Sequence, residues 1–224
     1  MAQKHRKIKN AGKNNSMCSF SKVCGIFLEP GKATSGNWDL KKVFKFYFAA
    51  ATLGFLLFLF FGSLAYNSGT FFKSNVIPLF NYFAISGANV YAAILISGLL
   101  LFFIFIPVGA IIDAWLYQIF GKYLLRAWDG NYNKTLVAVL FSMFPMVLGY
   151  WILFVPGIRI FGFAIIAIWE LVILIIALAS QHNISRVNAI VALFTTLVFL
   201  VLIALLLISG IAAGVLHTMR YYPV

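Results

Sequence analysis

Long charge-free stretches separated by short charged joints run through this chain. No Asp, Glu, Lys or Arg falls between Lys45 and Lys73, Lys73 and Asp113, Lys134 and Arg159, or Arg186 and Arg220. Between Arg159 and Arg186 only Glu170 interrupts. A helix needs about 20 apolar residues to cross the hydrocarbon of a bilayer. The pattern therefore predicts five transmembrane helices, at about 44–66, 89–112, 135–154, 160–179 and 189–214. The predicted fold class is an all-α polytopic membrane helix bundle. Residues 1–43 form a basic segment before the spans, and 215–224 a short tail after them. The stretch 67–88 carries Asn75, Pro78, Asn81 and Ser86. It reads as an outer loop in the interface, with a sixth, re-entrant passage as the alternative.

Composition agrees. Hydrophobic residues make up 63% of the chain and charged ones 10%, whereas soluble domains carry roughly 25% charged residues. Lipid must face much of this surface. The net charge of +12 is concentrated at the front. Residues 1–45 hold ten Lys/Arg against two acids, a net +8. Such an arm suits nucleic acid or an anionic membrane surface. Standing directly before a span, it reads as membrane-directed, with anionic lipid head groups as its partner and no nucleic acid. Lys41, Lys42 and Lys45 are the lipid-facing candidates, each worth roughly 1 kcal/mol near anionic lipid.

Lys/Arg bias sets the expected orientation. With the N-terminus inside, the inner segments carry 14 Lys/Arg and the outer ones three: Lys73, Arg159 and Arg220. Five crossings then place the C-terminus outside. Trp38, Trp115 and Trp128 are expected as anchors at the inner face. Tyr66, Tyr91, Tyr150, Trp151, Tyr221 and Tyr222 are expected at the outer one. Segment 113–128 is expected to continue the second helix along the inner interface, stopped by Asp129-Gly130-Asn131. The link Val155–Arg159 is so short that the third and fourth spans must be antiparallel neighbours.

The second half carries a recognisable order of short motifs. Gly130 precedes Lys134-Thr135-Leu136, and Pro145 falls mid-span. Pro156-Gly157 forms a turn, Ile168-Trp169 a pair, and His182-x-Ile184-Ser185 a second turn before Ala189. In this order and spacing the chain resembles the Yip family, the Ypt/Rab-interacting membrane proteins, and its prokaryotic members most. Phe27-Leu28-Glu29-Pro30 and Lys41-Lys42-Val43-Phe44-Lys45-Phe46-Tyr47 resemble the family's lead-in to its first span. The likeness covers about residues 20–215. It implies five spans, an N-terminus inside and a C-terminus outside. Eukaryotic relatives act in vesicle traffic, associating with prenylated Rab GTPases and with one another. The family is not known for enzymes or transporters.

Glu170, mid-way along the fourth span, is the candidate intramembrane polar residue. An ionised carboxylate there costs about 2.5–3.5 kcal/mol on insertion scales. It is expected neutral and hydrogen-bonded to a neighbouring helix, with a partner interface or proton pathway as alternatives. Asp113 is expected to be hydrated or paired with Lys122 or Arg126. The histidines lack metal-ligand spacing. Cys18 and Cys24 lack the second pair of a zinc site and are expected free, S-acylation of Cys24 being the alternative. No metal or cofactor is expected. Small residues mark helix-packing faces: Ala50 and Gly54 in the first span, Gly210 and Gly214 in the last. They suit the bundle's own packing or a homo-oligomer seam. Pro145 should kink the third span and free the Phe141 carbonyl.

Catalytic patterns are missing from the sequence: no HExxH, GxSxG, Walker A or GxGxxG occurs. The expected function is a non-enzymatic membrane organiser or adaptor, trafficking-related by resemblance, contacting lipid, its own copies or another membrane protein. The alternative is a small oligomeric transporter or channel using Glu170. The expected location is a prokaryotic plasma membrane, an archaeal one included.

Overall fold

A computed structural model describes residues 25, 29–34, 38–68 and 87–221, with 32–33, 87–89 and 210–221 by backbone alone. Of the loop expected at 67–88, residues 69–86 lie outside the described residues, as do Cys18 and Cys24. The described elements are all helical. They are α1 (Pro30–Thr34), α2 (Leu40–Asn67), α3 (Gly87–Leu100), α4 (Ile106–Gln118), α5 (Tyr132–Ser142), α6 (Phe144–Gly149), α7 (Arg159–His182) and α8 (Arg186–Tyr221). Two π-helical segments, Leu101–Phe105 and Ile119–Leu124, join α3 to α4 and prolong α4. A 3₁₀ segment, Tyr150–Phe154, ends the third span. Five helices are long and apolar enough to cross a membrane: Leu40–Asn67, Val90–Leu124, Tyr132–Phe154, Arg159–His182 and Arg186–Ser209.

The third span is the axis of the bundle. Of its most apolar stretch 67% is buried, against 17% for the fourth and fifth spans. Every residue from Thr135 to Ser142 is buried. Around it the outer helices turn Leu, Ile and Phe outward, as lipid permits. On α7, Ile160, Phe161, Ile165 and Ile168 are all exposed. α8 touches the bundle through Ala189, Ala192, Leu193 and Thr196, and from Leu197 to Ser209 it is exposed on every side.

The third span breaks where its proline predicts. α5 ends at Ser142 and α6 begins at Phe144, with Pro145 in its first turn, where a missing N–H is harmless. The Met143 N–H still reaches the Val139 carbonyl at 3.2 Å.

Pro107 acts differently. In the first π segment the Ile106 N–H bonds to the Leu101 carbonyl. The Phe102 carbonyl thus loses its α-helical donor. Its π-helical donor would be residue 107, a proline with no N–H. The Tyr47 hydroxyl, fully buried on α2, donates to that orphaned carbonyl at 2.9 Å. Tyr47→Phe should leave it unsatisfied and cost about 1–3 kcal/mol. Earlier thermal unfolding in detergent would show this; an unchanged midpoint would show the carbonyl to be satisfied otherwise.

The small pair on α2 faces inward. Ala50 and Gly54 are both buried. Gly54 lies so close to the Val147 carbonyl on α6 that no side-chain carbon fits between them. Gly210 and Gly214 fall on α8 where only backbone is given, so the packing expected of them lies outside the described residues.

Candidate functional site

The motif residues of the second half converge at one end of the bundle, where α2, α5 and α8 begin and α7 ends. Thr135, on the first turn of α5, is fully buried. Its hydroxyl donates to Gln118 Oε1 at 2.5 Å and lies 3.0 Å from His182 Nε2. Gln118, buried at the end of α4, also donates from Nε2 to the Gly130 carbonyl at 2.9 Å. Its Oε1 accepts a longer bond, 3.4 Å, from the Trp128 indole N–H. Trp128 stacks on His182 with centroids 4.8 Å apart. Gly130, Thr135 and His182, three positions in separate motifs, thus share one cluster with Gln118 and Trp128.

Proton bookkeeping fixes the polarity of this cluster. Thr135 has one hydroxyl proton, and Gln118 takes it. The contact to His182 must then be a donation from Nε2–H to the Thr135 oxygen. Nε2 therefore carries a proton, and since no acceptor meets Nδ1 the ring is the neutral Nε2–H tautomer with Nδ1 bare. That Nδ1 is the one buried side-chain polar atom among the described residues with no hydrogen-bond partner.

Glycines make the cluster possible. A Cβ on Gly121 would fall inside the Trp128 indole, and one on Gly130 would strike the His182 ring. Residues 125–131 form a strap between the second π segment and α5. Its turn is closed by Leu125 N–H to Phe120 O at 2.9 Å and Ala127 N–H to Gly121 O at 2.7 Å. Arg126 there takes a left-handed backbone, φ 49°, a conformation costing a non-glycine residue about 1–2 kcal/mol. Trp128 is thus not the interfacial anchor its position suggested. It is 3% exposed, because the strap folds back beneath the bundle instead of prolonging the helix to Asp129. Trp38 likewise packs inward, edge-on to Phe141 at 5.0 Å, whereas Trp115 is exposed.

The end of α7 holds a second segment. Gln181 Nε2 donates to the Thr34 carbonyl at 2.7 Å, docking α1 against α7. Asn183 then takes a left-handed φ of 53°, and Ile184 N–H closes the cap on the Ala179 carbonyl at 3.0 Å. Ser185 Oγ accepts the Asn188 N–H at 3.2 Å, capping α8. Ala189, 0% exposed, lies where α8 meets the bundle. At the opposite end Gly157, with φ 86°, makes the turn after Pro156 into α7. Trp169 is exposed on α7, away from the cluster.

Glu170 is half-buried on α7. No hydrogen bond to its carboxyl is found among the described residues, contrary to expectation. It lies within electrostatic reach of Asp113, Tyr117 and Tyr150 instead. Among the described residues no three His, Cys, Asp or Glu side chains gather as metal ligands would.

Around the polar cluster Lys41, Lys42, Lys45, Arg126 and Arg186 are exposed. Asp39 is turned to local use, its carboxylate accepting the Lys41 N–H at 3.3 Å to cap α2. The end of the molecule is thus a sealed polar interior with a positive rim.

A family model described as the Yip1 domain matches residues 25–208. Neither a curated protein nor a solved structure matches the chain.

Proposed function

The chain belongs to the Yip1 domain family, and from that premise we propose that it is a non-enzymatic membrane organiser or adaptor. It is an integral membrane protein with five apolar helices. The observation that carries the reading is the build of the basic end. Its buried polar groups, His182 Nδ1 apart, are engaged with one another, while Lys41, Lys42, Lys45, Arg126 and Arg186 are exposed around the outside. Such an end suits contact with a surface better than turnover. In this reading the basic end faces the cytoplasm of a prokaryotic cell and meets phosphate head groups or an acidic face of another membrane protein. The lone apolar length of α8 faces lipid or a second copy.

A photo-reactive residue at position 41, crosslinked in native membranes, tests the adaptor role. Recovery of one specific protein supports it. Recovery of lipid and the chain itself alone turns the reading to self-assembly. Changing Lys41, Lys42 and Lys45 together to Gln removes roughly 3 kcal/mol of attraction to anionic lipid. Anionic lipid that co-purifies with the protein should fall, or the topology should scramble. If mass spectrometry of bound lipid and cysteine labelling of both faces show no change, the lipid-contact role fails.

A further inference from the structure

Two segments are clamped by consecutive residues at the end of α7, Gln181 and His182, yet the two clamps differ in kind. Gln181 holds α1 by a bond between neutral groups. His182 is ionisable, and the setting of its Nδ1 favours the neutral form. Its Nε2–H is committed to Thr135, and its Nδ1 abuts the Gly130 backbone with no acceptor in reach. A proton on Nδ1 would be a buried donor without a partner. It would also bring a positive charge towards Lys134, whose ammonium acts on the ring from the first turn of α5. Among the described residues no carboxylate bonds to the ring. The strap contributes Arg126 and Asp129, both exposed. Lys122 lies on the π segment after α4, Lys32 on α1 and Arg186 on α8. The acids of the two long helices, Asp113 and Glu170, stand further along the spans.

We infer that the strap 125–131 is a proton-sensitive latch, closed over neutral His182 and released when that histidine is protonated. Release has a defined path. The strap is irregular backbone, already bent through a left-handed Arg126. Three contacts tie it to the cluster, Trp128 on the His182 ring, Trp128 N–H on Gln118 and Gly130 C=O on Gln118, while its other bonds run to its own flanks at Phe120, Gly121 and Lys134. Lifting it lets water reach Nδ1 and relieves the left-handed turn. It also brings the Trp128 indole out at the basic rim, where an amphipathic ring inserts readily among head groups. The inference adds a regulated state to the surface-contact role and does not depend on which surface is met.

The test uses full-length protein labelled with fluorotryptophan in lipid nanodiscs, with the Trp128 fluorine signal identified by its loss in Trp128→Phe. On going from neutral to mildly acid pH, Trp128 should become sensitive to a water-soluble paramagnetic agent. Trp151, stacked on Phe61 at the far end with centroids 4.4 Å apart, should keep its shift. His182→Gln keeps an N–H for Thr135 but cannot be protonated, and its response should be lost. Lys134→Gln should move the transition to higher pH, since a repelling charge is gone; this variant carries the test if His182→Gln does not fold. A Trp128 signal that stays shielded at every pH at which Trp151 is native overturns the latch. So does a midpoint unmoved in Lys134→Gln, or an unaltered response in His182→Gln.

Discussion

Gly54→Ala is expected to do more damage than most single changes to this chain, out of proportion to one added methyl. An ideal Cβ at position 54 meets the Val147 carbonyl oxygen well inside contact distance. It also lies 3.0 Å from the Phe102 ring and 3.1 Å from the Val147 carbonyl carbon. A side chain could swing aside, but the Val147 backbone cannot. α2 and α6 would have to separate, and α6 is pinned by the break at Met143 on one side and the 3₁₀ segment on the other. Overpacking of a well-filled interior typically costs about 1–3 kcal/mol. An obstacle made of backbone puts this site at or above the upper end. In lipid, moreover, no water is waiting to drive the helices back together, so close packing is itself the attraction. Gly109 is the matched control. A Cβ there meets nothing within 4 Å, so Gly109→Ala should be neutral or gain up to about 1 kcal/mol from helix propensity. Thermal unfolding of both variants in one detergent settles the matter. Equal midpoints would mean that the α2–α6 seam is looser than its geometry.

The spans were legible in the sequence because what defines them is local. A charge is costly at any point in hydrocarbon, so Lys134, Arg159 and Arg186 mark helix starts whatever the helices pack against, while Asp113 misled, since the second span runs on through it to Leu124. Pro145 was legible for the same reason, its missing N–H acting within its own helix. Long-range pairings were not. Nothing near Tyr47 announces that its hydroxyl answers a carbonyl 55 residues away, although Pro107 held half of the clue. Trp128 was misread because an aromatic at a span's end resembles an interface anchor; only Gly121, seven residues earlier, betrays a seat for it. Glu170 showed that it needed company, but not that Asp113 would be among it. The family motifs marked Gly130, Thr135 and His182 one at a time. What joins them is Gln118, a lone uncharged amide in an otherwise apolar or charged stretch, and that oddity was the available signal.

Gln118→Leu is the substitution that should expose this dependence. Leucine nearly preserves volume, so packing is spared and hydrogen bonding is the main loss. Three groups lose their partner together: the Thr135 hydroxyl, the Trp128 indole N–H and the Gly130 carbonyl. An unsatisfied buried group costs about 1–3 kcal/mol. The Thr135 hydroxyl can turn to a backbone carbonyl within α5, so a total of about 2–4 kcal/mol is the fair expectation. Thr135→Val alone should cost less, leaving His182 Nε2–H and one lone pair of Gln118 unmet. The informative variant is the double one. If the cluster is a single directed network, removing both partners of one bond forfeits that bond once. Gln118→Leu with Thr135→Val should then cost less than the two singles added, by about 1–2 kcal/mol. Denaturant unfolding in mixed micelles measures all three. Additivity within about 0.5 kcal/mol would mean that the four side chains are neighbours without being a network. The strap would then be held by the stacking of Trp128 on His182 rather than by the polar chain through Gln118.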